Sequence, residues 1–296
     1  MKLGGRALAW GLVGAGVVLG FHAETPRPLD PPRHGADVVL AADFHVHSFP
    51  GDGALAPWDL AVEAQRRGLD AIALTNHNHR VSWSIAQMMP FHRAGALLIP
   101  SEELTSAAYH MAAVGTSGNV PWHQSAAAAA AGIHDRGGVA IAAHPAGDDA
   151  KGFDDAALDA LDGVEAAHPL MYAVRNGRRD LAAFYERARG RKPRIAAIGS
   201  TDFHFFAPVG FCRTFVFARE RSIDGVLDAI RRGATVACDA SGTTFGPADL
   251  SAAVAGACRA AAGAPVRDSA WTDPASALCV WLGLFGLVLL GSHEAV

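Results

Sequence analysis

The stretch Val38-Val39-Leu40-Ala41-Ala42-Asp43-Phe44-His45-Val46-His47 decides how this chain is read. Its first five residues are apolar and partly β-branched, which predicts a buried strand. The strand runs straight into Asp43-Phe44-His45-Val46-His47. His45 and His47 are two residues apart, so in extended backbone they share a face, and their imidazoles can grip one metal ion.

The same arrangement recurs along the chain. The apolar run Ala71–Thr75 ends in Thr75-Asn76-His77-Asn78-His79. The run at Leu97 ends in Ser101-Glu102-Glu103, and His110 begins the run to Val114. Val139–Ala143 leads into His144, Val164–Ala167 into His168, and Ile195–Ile198 into Ser200-Thr201-Asp202-Phe203-His204. Helical patterns alternate with these strands at Pro57–Arg67, Ser125–Arg136, Ala173–Arg189 and Ile223–Arg232, with a further strand at Thr214–Phe217. Alternation of this kind predicts an α/β fold with a parallel sheet and helices outside it. About seven or eight such strands close into a barrel. Strand ends then converge on one face, and the histidines and carboxylates with them. They outnumber what one ion can take, so two or three divalent ions are expected, with Zn, Mn or Fe suited to imidazole and carboxylate. Each piece alone is weak, because a lone strand-end histidine is commonly structural. Of the 14 histidines, His22, His34, His92, His123, His134 and His293 fall outside the pattern and read as surface or linker residues.

The chain of 296 residues is 50% hydrophobic and only 18% charged, which suits a large core and excludes a disordered protein. Its formal charge of -4 gives no basic footprint for duplex nucleic acid. The only lysines are Lys2, Lys151 and Lys192, none at a predicted strand end, which disfavours Schiff-base chemistry. The four cysteines make no CxxC pair and read as small apolar residues, with a Cys212–Cys238 bridge as the alternative in an oxidising compartment. Residues 1–23, where Lys2 and Arg6 precede an apolar run from Ala7 to Phe21, read as a signal peptide or membrane anchor, and Phe21-His22-Ala23 is a poor cleavage site. Residues 24–36 read as a Pro-rich linker, 37–240 as the catalytic domain, 241–274 as an irregular extension, and 275–291 as a candidate C-terminal transmembrane helix with Trp271 and Trp281 at its interface. The alternative for that last run is a buried helix. Together the apolar ends suggest a membrane-associated or exported protein with its soluble domain outside the cytoplasm.

Taken together, Asp43-Phe44-His45-Val46-His47, Gly51-Asp52-Gly53, Thr75-Asn76-His77, Pro100-Ser101-Glu102-Glu103, Tyr109-His110, Ala143-His144-Pro145 and Gly199-Ser200-Thr201-Asp202-Phe203-His204 resemble the motifs of the PHP (polymerase and histidinol phosphatase) metallohydrolases. The resemblance spans Asp43 to about Val236 and implies a distorted (β/α)7 barrel. It further implies that one metal takes His45, His47, Glu103 and Asp202. A second shares Glu103 and takes His110 and His144, and a third takes Asp52, His77 and His204. Asp43 would orient a ligand histidine from behind. Two departures stand out. Asn76 replaces the family's usual Asp, removing a negative charge near the third metal, and Ser101 stands where Gly is common. Glu103 is preferred over Glu102 as the bridging acid on the local pattern, with the neighbour as the alternative.

The chemistry expected from this set is hydrolysis of a small-molecule phosphate ester or short nucleotide. Water held between two metals loses its proton near neutral pH and attacks phosphorus in line. Glu103, Asp202 and His204 are the expected catalytic residues, with His204 or His77 stabilising the leaving oxygen if the third ion is absent. Arg213 is a candidate phosphate clamp, the alternative being a loop cation. His79 and His168 are candidates for touching substrate, the alternative being a structural role. Asp148 and Asp149 read as loop carboxylates. Two other functions compete: a carbamate or aryl-ester hydrolase on the same metals, and a membrane-tethered metal-binding or assembly module without catalysis. A proofreading role beside a polymerase is disfavoured, since no polymerase region is present.

Overall fold

The computed structural model describes residues 2–22, 31–88, 95–205, 207–262 and 272–292. The chain divides into two compact units, Pro28–Pro265 and a smaller one built from Met1–Arg27 with Val266–Val296.

The larger unit is an α/β barrel built on one sheet of eleven strands. In chain order these are β1 (Arg33–His34), β2 (Asp37–Val46), β3 (Ala71–Leu74), β4 (Leu97–Thr105), β5 (His110–Val114), β6 (Val139–Ala142), β7 (Gly163–Ala167), β8 (Ala196–Gly199), β9 (Arg213–Ala218), β10 (Thr235–Cys238) and β11 (Thr244–Phe245). The spatial order is β11-β10-β9-β2-β3-β4-β5-β6-β7-β8, and β8 comes back beside β9 and β10 to nearly close the ring. The barrel is distorted, as expected, and in a specific way. β2, β3 and β4 run parallel, as do β6, β7 and β8, but β5 is antiparallel to both its neighbours and β9 is antiparallel to β2 and β10. Because β5 is reversed, its first residue His110 pairs with Thr105 at the end of β4. A histidine that starts a strand is thereby delivered to the same face as those that end one.

A single apolar cluster collects Leu40, Ala42 and Phe44 of β2 with Ala73, Ile99, Ile141 and Ile198 from strands around the ring, so it fills the barrel interior. Val226 and Ile230 of α8 (Ile223–Arg231) belong to the same cluster and plug one end. That helix starts where Ser222 accepts a hydrogen bond from the Gly225 amide at 2.9 Å. It follows β9, whose last residue pairs with Val38 at the start of β2, so the plug lies opposite the strand ends that carry the histidines. Outside, Leu60 and Ala64 of α2 (Pro57–Arg66) pack with Val39 and Ala41, while Ala129 and Ile133 of α4 (Ala126–His134) and Leu181 of α7 (Gly177–Arg191) cover the β6–β8 side. The remaining helices of the unit are α3 (Val81–Gln87), α5 (Asp155–Ala160), α6 (Leu170–Ala173) and α9 (Ala248–Ala262).

Several boundaries differ from those read in the sequence. The linker expected at 24–36 already contains β1, which forms a hairpin with β2 through Gly35 at φ 60°. Residues 241–274, expected to be irregular, hold β11 and α9. A disulfide between Cys238 and Cys258 ties α9 to β10, so the pairing is not Cys212–Cys238. Cys212 is a buried free thiol, which fits its reading as a small apolar residue.

In the smaller unit, α1 (Lys2–His22) and α10 (Thr272–Ser292) pack closely. A Cβ on Gly283 would lie 2.6 Å from the Ala9 carbonyl, so only glycine permits the approach. Among the described residues, no helix is long and apolar enough to cross a membrane. The anchor expected at 1–23 and the transmembrane helix expected at 275–291 are therefore not borne out. The uncharged runs within these helices fall short of the roughly 20 residues a span needs. Ala23, Trp271, His92, His293 and the linker residues 24–30 lie outside the described residues.

Under non-reducing conditions a peptide joining Cys238 to Cys258 should be recovered by mass spectrometry. Reducing it should lower the melting midpoint by roughly 5–10 °C, the effect of opening a loop of this length.

Candidate metal centre

The site begins with an irregularity in β2. Asp43 is in register with Ile72 of β3, but Val46 is in register with Leu74, so β2 carries one extra residue between them. Below this bulge the even-numbered Leu40, Ala42 and Phe44 face the interior. Beyond it Val46 belongs to the outer cluster. The bulge reverses the alternation, and His45 and His47 turn inward where unbroken pleating would have placed them outside. A second shift, between Glu165 and Ala167 against β8, occurs in β7 beside the same site.

Glu103 is the centre of the cluster. It is fully buried, and its two oxygens face different histidines. Oε1 lies 2.8 Å from His110 Nδ1 and 3.2 Å from His144 Nε2. Oε2 lies 3.5 Å from both His45 Nε2 and His47 Nε2, and 2.7 Å from His77 Nδ1. Asp202 Oδ1 is 3.2 Å from His45 Nε2 and from His47 Nε2. Asp52 Oδ2 joins His77 Nε2 at 3.2 Å and His204 Nε2 at 3.1 Å. All nine residues expected as ligands are thus brought together: His45, His47, Asp52, His77, Glu103, His110, His144, Asp202 and His204.

The partners of the ring nitrogens show what this arrangement lacks. His45 Nδ1 lies 3.0 Å from Glu165 Oε1, and His47 Nδ1 lies 3.0 Å from Asp52 Oδ1. Each carboxylate fixes a proton on Nδ1 and leaves Nε2 as a lone pair. Yet the two Nε2 atoms are only 3.1 Å apart and face two carboxylate oxygens. Glu103 Oε2 and Asp202 Oδ1 are buried there and accept no well-directed hydrogen bond. Four electron-rich atoms converging in a buried space fit a cation, and the imidazole–carboxylate mixture fits a first-row divalent one. Without it the groups must share protons. Burial opposes the charge on His45, but Asp202, Glu103 and Glu165 outweigh it and hold the imidazole well above its usual range. Burial likewise opposes ionisation of Glu103, yet His45, His110 and His144 hold it well below the carboxylate range. For His144, burial is outweighed by Asp149 and Glu103, which raise it to about 10.

The surroundings hold these groups in place. Asn76 Oδ1 accepts from the Ser48 amide at 2.7 Å, and its Nδ2 donates to the carbonyls of Ser48 at 2.9 Å and Pro50 at 3.0 Å. This shapes the loop that presents Asp52. A carboxylate could not donate to those carbonyls, so the amide is what this loop geometry requires. Gly51 and Gly53 let the loop close, since a Cβ on either would overlap Asn76 or the His47 carbonyl. His144 and Asp202 adopt positive φ, 29° and 53°, a backbone conformation unusual for such residues and common where side chains are aimed for function.

Some expected roles change. Asp43 does not orient an imidazole. Its carboxylate accepts from the amides of His45 at 3.2 Å, Thr201 at 3.0 Å and Gly210 at 2.9 Å, clamping the end of β2 to the loop after β8. The residue that orients His45 is Glu165, which also accepts from the His144 amide at 2.6 Å. Sequence reasoning missed it, although a lone Glu inside the apolar β7 was a signal. Asp149, read as a loop carboxylate, lies 3.3 Å from His144 Nδ1. Arg213 is not a phosphate clamp. It starts the reversed β9 and points to the outside of the barrel, donating to the Gly210 carbonyl at 3.0 Å and the Arg67 carbonyl at 3.0 Å. His168 is buried on the floor of the site, its Nδ1 accepting from the Leu170 amide at 3.2 Å and its Nε2 3.7 Å from Asp202 Oδ2. His79 is half-buried at the rim, within electrostatic reach of Asp52 and His77. Glu102 faces away from Glu103 and accepts from the Val120 amide at 2.7 Å, so of the two acids it is Glu103 that meets the histidines.

The chain is similar to a family model and to solved structures. A family model described as PHP-associated matches residues 187–235. A crystal structure of a two-domain protein from Bacteroides vulgatus, containing a predicted PHP-like metal-dependent phosphoesterase, is 25% identical, with 77% of this chain and 72% of that one covered and a TM-score of 0.62. A protein from Bifidobacterium adolescentis, provisionally described as a metal-dependent phosphoesterase, is 17% identical over 55% of this chain and 87% of that one, with a TM-score of 0.43. An amidohydrolase from Chromobacterium violaceum, with sulfate bound and no metal, is 16% identical over 57% and 89%, with a TM-score of 0.43. No curated protein matches the chain.

Replacing Glu165 by Gln should weaken metal retention roughly 10- to 100-fold, read by titration against a chelator, because His45 loses the carboxylate that fixes its tautomer. Replacing Asn76 by Asp should destabilise the fold by about 2 kcal/mol in chemical denaturation, because two backbone carbonyls lose their donor.

Proposed function

We propose that this chain, similar to PHP-type metallohydrolases, is a metal-dependent phosphoesterase acting on a small phosphate ester or short nucleotide. The observation that supports it most is Glu103, buried between two sets of histidines with Asp202 alongside. One ion would be held by His45, His47, Glu103 and Asp202, a second by Glu103, His110 and His144, and a third by Asp52, His77 and His204. When bound, such ions supply Lewis acidity and bring the pKa of water close to neutrality.

The chain's own residues do the rest. Glu165 and Asp52 hold the protons on Nδ1 of His45 and His47, so both Nε2 lone pairs point inward. His168 packs against Asp202 from below and keeps its carboxylate directed at the centre. His204 donates from Nδ1 to the Asp202 carbonyl at 3.0 Å, which directs its Nε2 toward Asp52 at the open side of the site. With His77 it lines the route by which a leaving group would depart, and where the third ion is absent either ring can stabilise the departing oxygen. The cationic charge such ions would bring to this one place would suit a phosphoryl group whose charge is spread over its oxygens. The Cys238–Cys258 bridge supports export to an oxidising compartment as the place of action.

The full chain should bind two or three divalent ions by elemental analysis and release phosphate from a generic phosphoester in a chelator-sensitive way. Replacing Glu103 by Gln should lower kcat at least about 100-fold. Bound metal with cleavage only of carboxyl or carbamate esters would overturn the phosphoesterase reading.

A further inference from the structure

A pocket of about 400 Å³ is walled by His79, Arg80, Trp83, Gln87, Ser117 and Asn119, and His79, within electrostatic reach of Asp52 and His77, links it to the rim of the candidate metal centre. Its relation to the centre follows from β4. Successive residues of a strand point to opposite sides, so Glu103 enters the histidine cluster while Glu102 turns the other way. There Glu102 Oε1 accepts from the Val120 amide at 2.7 Å, which secures the loop carrying Ser117 and Asn119. The other wall is the continuation of the His77 loop, pinned where Asn78 Oδ1 accepts from the Thr105 amide at 2.9 Å. One dipeptide therefore supplies both the central carboxylate and the support of the adjoining pocket.

The chemistry of the lining is one-sided. No carboxylate lines the pocket among the described residues, and Arg80 contributes a guanidinium. Its Nε is buried and has no hydrogen-bond partner. Glu102 Oε2 is also buried and unpartnered. Among the described residues Arg80 meets no acid in an ion pair, so its guanidinium is not consumed. Gln87, Ser117 and Asn119 add neutral hydrogen-bonding groups, and the half-buried Trp83 a flat apolar face. An unpaired guanidinium with neutral polar groups and an aromatic face suits an anion carried on a polyol or ring.

We propose that this pocket is a leaving-group subsite, and that the substrate is a phosphate ester bearing a second acidic group, carboxylate or phosphate, which Arg80 receives. The proposal rests on the phosphoesterase reading for its chemistry, but the pocket's binding can be measured apart from turnover.

The test uses the metal-loaded full chain with three related esters: glucose 1-phosphate, glucuronate 1-phosphate and glucose 1,6-bisphosphate. The preference, expressed as the ratio of kcat/KM for each two-acid ester over glucose 1-phosphate, should favour the two-acid esters and fall roughly 10- to 100-fold in R80Q. The two ratios show which acid is taken. Should R80Q fail to fold, Asn119→Asp, on an exposed residue, should lower the same ratios by placing a negative charge on the wall. Calorimetric affinity for glucuronate 1-phosphate should fall in parallel. Phosphate release with ratios near one and insensitive to R80Q would overturn the subsite and leave the phosphoesterase standing. No phosphate release, but binding that depends on Arg80, would support the subsite and overturn the phosphoesterase.

Discussion

A fully buried carboxylate in the middle of an apolar barrel is the constraint to which the rest of this structure answers. Glu103 has no access to water, and an isolated charge there would be prohibitively unfavourable. It is tolerated because five imidazoles from four strands and their following loops reach it. Those imidazoles need their own supports, which are Glu165, Asp52 and Asp149. The result is a shell of alternating charge whose inner atoms still face one another in the wrong sense, nitrogen lone pair to nitrogen lone pair. A metal centre is the arrangement in which this shell ceases to be in conflict.

Delivering the imidazoles requires breaks in regular structure. An unbroken β2 would fill the barrel with Leu40, Ala42 and Phe44 and turn His45 and His47 outward. The one-residue bulge resolves that conflict, so the strand supplies apolar packing at one end of the barrel and ligands at the other. Reversal of β5 does the equivalent for His110. Positive φ at His144 and Asp202 belongs to the same class of device. Each departure from regularity falls where a ligand must be aimed, as expected when local preference is overridden for function.

These points separate what the sequence could disclose from what it could not. The histidines and acids at strand ends were legible because their position relative to an apolar run is a local property. The helices were legible for the same reason, since the patterns at Pro57–Arg67 and Ile223–Arg232 fall where α2 and α8 lie. Which way a strand faces is not local. It depends on register with a strand distant in the chain, and a shift of one residue inverts it. Hence the bulge, the reversed strands and the partner of Cys258 lay beyond reach. Arg213 shows the same limit, since its neighbourhood in sequence suggested the site while the pleat of β9 sent it outward. Glu165 was within reach, because an acid inside an apolar strand needs a buried partner, but its partner His45 lies 120 positions away.

The adjacent acids Glu102 and Glu103 show how far one strand can separate two functions. Both are buried, and burial pushes both toward the neutral form. At Glu103 the histidines overcome that push and the carboxylate stays ionised. At Glu102 the Val120 amide, Arg80 and Arg136 oppose burial less effectively, and the group remains raised. The difference arises because the pleat points one side chain into a ring of imidazoles and its neighbour toward a loop amide and more distant guanidinium groups. A carboxylate held ionised suits permanent ligation. Glu102 instead supports the loop at Val120 and forms no ion pair with Arg80, whose guanidinium stays available in the pocket it lines.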